Sequence, residues 1–144
     1  MINDFHGRYR FLSNFYPCSI EFEGIIFPSV EHAYQAAKIL LYSERIAIAE
    51  LDKPGDAKRA SRRMAIQPNW EEKKYGVMAT LLKEKFKSGI LAQKLKATYP
   101  QELIEGNYWH DNVWGSCNCQ RCKGIIGQNL LGKILMRVRE EVVR

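Results

Sequence analysis

The chain opens with a short stretch of alternating polar and apolar positions, followed by a series of helix-spaced segments. Ser19-Ile-Glu-Phe-Glu-Gly24 alternates, and Gly24 leads into Ile25-Ile-Phe27. That pattern predicts a hairpin, and the first 28 residues as a whole read as β-rich. Pro28-Ser29 then opens a helix, with Ser29 placed as its cap. Along this helix Val30, Ala33, Ala37 and Leu40 share one side. Glu31, Gln35 and Lys38, at i, i+4 and i+7, share the other. A second short helix is expected from Ser43 to about Leu51. Asp52-Lys-Pro-Gly55 reads as a turn, and a basic helix from about Asp56 to Arg63 follows.

Gln67-Pro-Asn-Trp70 restarts the chain, with Asn69 as candidate cap. Tyr75, Met78, Leu82 and Phe86 recur at spacings of three and four, which marks a long amphipathic helix. Ser88 to Thr98, carrying Ile90, Leu91 and Leu95, predicts another, ended by Tyr99-Pro100. Leu103-Ile-Glu-Gly106 is an expected strand. Asn129 to Val142 predicts a closing helix with Leu130, Leu131, Ile134, Leu135 and Val138 towards the core. The sum is an α+β fold, helix-dominated with a small N-terminal β-sheet, expected to form a single domain over residues 1–144.

Hydrophobic residues make up 46% and charged residues 26% of the chain, the balance of an ordinary globular protein. No run approaches the ~18–20 apolar residues of a membrane span. The start, Met1-Ile-Asn-Asp-Phe-His, lacks the basic and apolar regions of a signal peptide, so the expected location is cytoplasmic, with no membrane partner. The net charge of +6 changes the picture because it is local. Residues 53–87 hold ten Lys/Arg and four Asp/Glu, and the other residues hold twelve of each. The segment reads either as a face for phosphates or nucleic acid or as a solvated helical surface. Trp70, Tyr75 and Phe86 are too few for a single-strand stacking groove.

Three groups of residues carry candidate chemistry. The face of Glu31, Gln35 and Lys38 is a polar pocket or, on spacing alone, a solvated surface. Glu105, Asp111, Trp114 and Gly115 form a second group. Two carboxylates can divide general-acid and general-base work, Trp114 can stack on a base or ribose, and Gly115 would admit a ligand close to the backbone. The alternative is a turn cornered by Asp111-Asn112, with Trp109 and Trp114 in the core. The third group is Cys117-Asn-Cys119-Gln-Arg-Cys122. Cys119-x-x-Cys122 has zinc-knuckle spacing, Cys117 adds a third ligand, and Cys18 or His110 could supply the fourth. Such a zinc would be structural. The other reading is a reduced, redox-labile loop. His32 reads as a hydrogen-bonded core histidine, and no Gly-rich dinucleotide or P-loop fingerprint occurs.

Phe11-Leu-Ser-Asn-Phe-Tyr-Pro17, Pro28-Ser-Val-Glu-His-Ala-Tyr-Gln-Ala-Ala-Lys38, Trp114-Gly115 and Gly127-Gln-Asn-Leu-Leu-Gly-Lys-Ile-Leu-Met-Arg-Val-Arg139 occur in that order. Together they resemble the NADAR family (NAD- and ADP-ribose-associated domains), from about Phe11 to Arg139. The sequence departs from family members that carry a glycine-rich loop where its cysteines stand.

The resemblance implies cleavage of a C–N glycosidic bond at the ribose anomeric carbon, with no cofactor required. The transition state is oxocarbenium-like. Glu31, Glu105 or Asp111 would handle protons. Lys38 would act as Schiff-base nucleophile or as electrostatic clamp. Asn14 and Phe15 would lie near the ligand, although on residues alone Asn14 is a turn residue before Pro17. The leading expected substrate is ADP-ribose on guanine in nucleic acid, which would make an ADP-ribosyltransferase toxin a partner. Phosphoribosylated aminopyrimidines of riboflavin synthesis come next, and a non-catalytic reader of NAD or ADP-ribose is third.

Overall fold

The computed structural model describes residues 1–143, the Val143 side chain excepted. The chain is a helix-rich α+β protein. It divides into two compact units, one of Asn14–Lys85 and one of Met1–Ser13 with the stretch from Phe86 onwards.

The Asn14–Lys85 unit is built around one short helix. Strands β1 (Ile20–Phe22) and β2 (Ile25–Phe27) pair antiparallel, with Ile20 opposite Phe27. Glu23 and Gly24 form the two-residue loop with φ of 49° and 81°, the left-handed pair that matches the twist of a tight hairpin. Helix α1 (Val30–Lys38) follows, and the Ser29 hydroxyl accepts from the His32 amide at 3.1 Å. It packs against α2 (Tyr42–Ala49), α3 (Pro54–Ser61) and α4 (Trp70–Lys85). The small residues Ala33, Ala36 and Ala37, all buried, let those neighbours come close.

The other unit begins with a 3₁₀ helix, Gly7–Leu12, which packs on α5 (Gly89–Ala97). The closing helix α6 (Leu130–Val143) packs on α5 as well. Between them run two-residue strands, β3 (Gly106–Asn107) and β4 (Ser116–Cys117), paired in parallel, and a 3₁₀ turn at Gln120–Cys122. Buried Arg139 on α6 donates to the Thr98 hydroxyl at 3.1 Å and the Gln101 carbonyl at 2.7 Å, tying the end of α5 down.

Several expectations shift. The first 28 residues are not broadly β-rich, because Gly7–Leu12 is helical and the strand content is confined to the hairpin. Helix α3 starts at Pro54 rather than Asp56. Proline lacks the amide that a first helical turn leaves unpaired anyway, so Pro54-Gly55 opens the helix instead of turning. Leu40 is exposed and Ile39 takes its place in the core. The helix ends at Lys38, and extended Ile39 bridges Ile66, which sends the next side chain outward. Along α4, Met78, Leu81 and Leu82 are buried while Tyr75 is 40% exposed, so the stripe is shorter than its spacing suggests. Ile90 also faces out, leaving Ala92 and Leu95 as the buried residues of α5. The strand expected at Leu103–Gly106 is only an isolated bridge between Leu103 and Ile2, and regular pairing begins at Gly106. On α6, Leu131, Leu135 and Val138 are buried, and Leu130 and Ile134 are only partly covered.

Candidate functional site

The polar face of α1 is not a solvated surface. Glu31 is 8% exposed and Gln35 6%, and removing such groups from water is costly unless they are paired. Gln35 Nε2 donates to Glu31 Oε1 at 2.9 Å, and the Ser61 hydroxyl of α3 donates to Gln35 Oε1 at 2.7 Å. That fixes the Gln35 amide: its nitrogen faces the carboxylate because its oxygen is engaged by Ser61. Asn14 joins the group through its backbone, whose carbonyl accepts from the Glu31 amide at 3.0 Å. Its side-chain Nδ2 lies 3.6 Å from Met78 Sδ, while Oδ1 is buried with no hydrogen-bond partner among the described residues. An unpaired acceptor at that depth fits a group that completes its bonding with a ligand donor. Phe15, the next residue, is 47% exposed.

Lys38 ends the same face, half-buried. Burial lowers its pKa, Glu31 and Glu71 oppose that, and Arg62 and Lys58 from the α3 segment push it down further. The amine is therefore easier to find neutral than that of a surface lysine. A second lysine, Lys85, is pushed to about 8 by burial, with Cys18 opposing, but it is only 4% exposed and packs by its ammonium on the Tyr16 ring. The same unit holds an open groove of about 620 Å³ whose lining includes Phe22, Gln67 and Gly76, and none of the candidate residues. His32 is the core histidine expected. Its Nδ1 accepts from the Ser29 hydroxyl at 2.7 Å and its Nε2 donates to the Leu51 carbonyl at 2.9 Å, with burial lowering its pKa.

In the other unit, Glu105, Asp111, Trp114 and Gly115 are gathered by a residue the sequence did not single out. Asn107 is fully buried. Its Nδ2 donates to the Asp111 carbonyl at 2.8 Å and to Glu105 Oε2 at 3.2 Å, and its Oδ1 accepts from the Asp111 amide at 3.2 Å. Asp111 Oδ1 accepts from the amides of Val113 and Trp114 at 3.0 and 2.9 Å. One carboxylate oxygen is thus committed to the turn, as the turn reading of this segment anticipated. The indoles do not form a core: Trp109 is 58% exposed and Trp114 partly exposed. Gly115 has a different purpose from the one expected. A methyl group there would overlap the carboxylate and carbonyl of Glu105, so the missing side chain makes room for Glu105 rather than for a ligand.

The three loop cysteines converge on His110, which settles which histidine or cysteine stands with them. His110 Nδ1 lies 3.2 Å from Cys119 Sγ, 3.4 Å from Cys122 Sγ and 3.9 Å from Cys117 Sγ. All four donor atoms lie within 4.8 Å of one another, an arrangement that can hold a metal ion. Cys18 is outside the cluster, and burial raises its thiol pKa against the pull of Lys85. Burial alone would also raise the Cys117 thiol, but the amides of Cys119 and His110 together with the Cys119 and Cys122 thiols outweigh it and lower the pKa. No helix among the described residues is long and apolar enough to cross a membrane.

These features sit in a recognisable lineage. Residues 3–143 match the family model of the NADAR domain, and the chain belongs to that family. It is 33% identical over 141 residues to N-glycosidase YbiA of Escherichia coli, covering 93% of this chain and 82% of that protein. It is 39% identical over 145 residues to the riboflavin biosynthesis protein VVA0006 of Vibrio vulnificus, across 95% of this chain and only 36% of that longer protein. The NMR structure of the Escherichia coli protein YbiA superposes with a TM-score of 0.81 at 32% identity, covering 99% of this chain and 84% of that one.

Proposed function

We propose that this chain is an N-glycosidase that hydrolyses the C1–N bond of a phosphoribosylated aminopyrimidine, with Lys38 as nucleophile. The hydrolytic class stands on the family and on relatives that carry N-glycosidase in their names. The choice of a small phosphoribosyl substrate over ADP-ribosylated guanine is supported by relatives named for riboflavin biosynthesis. It reverses the order in which the sequence alone ranks the two substrates.

The observation that carries the reading is the place of Lys38, half-buried on the helix face that carries Glu31, with burial first and then Arg62 and Lys58 lowering its pKa against Glu31 and Glu71. The same two cations suit a substrate phosphate. The neutral amine adds to C1 of the opened sugar, and the C1–N bond breaks. The Glu31 carboxylate takes the protons that Nζ sheds and passes them to the departing amine, leaving a Schiff base on Lys38. Water then adds to C1, the C1–Nζ bond breaks, and free sugar phosphate leaves the regenerated amine. Gln35, fixed by Ser61, holds the Glu31 carboxylate in place. Asn14 Oδ1 is available to a sugar hydroxyl. Lys85, though its pKa is also depressed, is too deeply buried to meet a substrate.

ADP-ribose on guanine in nucleic acid remains the second reading, favoured by the confinement of the whole charge excess to residues 53–87. Incubation with each substrate, with products resolved by mass spectrometry, separates the two. Release of ribose 5-phosphate from the aminopyrimidine, with an ADP-ribosylated oligonucleotide left intact, is the expected result. Release of ADP-ribose from the oligonucleotide alone would transfer the assignment to the polymer.

A further inference from the structure

We propose that Cys117, Cys119, Cys122 and His110 form a structural zinc site that holds the segment from Glu105 to Cys122 in its folded shape. The inference is independent of the substrate and of the role of Lys38.

Three observations converge. The first is the donor set. Three thiols and one imidazole are a common tetrahedral zinc complement, and Cys119-x-x-Cys122 has the spacing of a zinc knuckle. The second is distance. With Zn–S near 2.3 Å and Zn–N near 2.0–2.1 Å, a tetrahedron places imidazole nitrogen and thiolate sulfur about 3.6 Å apart. His110 Nδ1 meets the three sulfurs at 3.2, 3.4 and 3.9 Å.

The third is the surrounding hydrogen bonding. The amides of His110 and Cys119 donate to Cys117 Sγ at 3.3 and 3.4 Å, and Asn112 Nδ2 donates to Cys122 Sγ at 3.5 Å. Donors aimed at sulfur favour thiolate, the form that binds metal, and outer partners of this kind orient ligands. Asn112 also accepts from the Cys117 amide at 2.8 Å, so one residue braces two ligands.

The location gives the site its consequence. His110 adjoins Asp111 in sequence and sits at φ 68°, a left-handed conformation that a non-glycine residue holds only when its surroundings over-determine it. Cys117 lies on β4, which pairs with the β3 strand of Asn107. An ion bound here would pin both ends of the turn that presents Asp111 and Trp114. It makes no contact with substrate in this assignment and acts only by positioning.

The test is metal analysis of the intact protein, prepared with zinc supplied and under reducing conditions. Native mass spectrometry should show one zinc per chain. Replacement by cobalt(II) should give the strong visible bands of a tetrahedral site and a sulfur-to-metal charge-transfer band. Cys119→Ser and His110→Ala should each weaken zinc retention at least tenfold against a chelator, while Cys18→Ser should retain zinc fully. After chelation in denaturant, titration should count four free thiols, Cys18 included. A zinc-free protein with normal folding would overturn the proposal. So would two missing thiols, which would mean a disulfide, or zinc held equally well by Cys119→Ser and His110→Ala.

Discussion

Helix α1 and the segment from Glu105 to Cys122 both bring polar side chains together, and they do so by opposite means. In α1 the backbone satisfies itself. Glu31, Gln35 and Lys38 are carried to one face by helical period, and one hydrogen bond from Ser61 fixes their polarity. From Glu105 to Cys122 the regular pairing amounts to two residues per strand, so side chains perform the backbone's work. Asn107, Asp111, Asn112 and the Cys117 sulfur all bond main-chain amides or carbonyls. The contrast separates two kinds of clustered polarity. On α1 the polar face is held by side chains bonding one another, Gln35 to Glu31 and Ser61 to Gln35. In the loop segment most of the polar groups are occupied by the main chain.

Substitutions should therefore act on stability in the loop and on turnover in the helix. The largest stability loss is expected for Gly115→Ala, where the added methyl meets the Glu105 carboxylate and carbonyl. We expect about 3 kcal/mol in denaturant unfolding, the upper end for overpacking. A loss under about 0.5 kcal/mol would mean the segment yields more easily than its bonding implies. Asn107→Leu should cost about 2 kcal/mol by leaving the Asp111 carbonyl and amide unpaired.

The helix is probed by pH. The Lys38 amine must lose a proton to react, and because burial and Arg62 lower its pKa, turnover should rise with pH to a plateau through a midpoint below 10.5. Below the folded pKa the slope should be about tenfold per pH unit, and Lys38→Arg should abolish that limb. Ser61→Ala should cost about 1 kcal/mol of stability and lower kcat more than it raises KM, since it frees the Gln35 amide to turn. Smallest is the His32 effect. Its folded pKa lies below 6.5, so the unfolded chain binds the proton more readily. Stability should fall as pH drops through about 6.5 towards the folded pKa, and His32→Gln should flatten that fall.

The sequence disclosed what periodicity and capping encode. The hairpin at Gly24, the Ser29 cap and the shared face of Glu31, Gln35 and Lys38 are local patterns, and the structure keeps each of them. It did not disclose that the face is buried, because the covering residues arrive from α3, with Ser61 26 positions after Gln35. Asn107 carried no signal at all, since its partners are irregular backbone. Spacing left the fourth member of the cysteine cluster open between Cys18 and His110. Only the turn at His110, which folds the imidazole back over the three sulfurs, decides it. Gly115 was read as room for a ligand because nothing in the sequence places Glu105 against it.

The central claim is that Lys38 is the nucleophile, and covalent capture tests it most directly. The protein is incubated with the phosphoribosyl aminopyrimidine and borohydride, digested, and mapped by mass spectrometry. The account predicts a reduced pentose-phosphate adduct on the Lys38 peptide, absent from Lys38→Ala. Full turnover with no adduct, or an adduct on Lys85 instead, would contradict it.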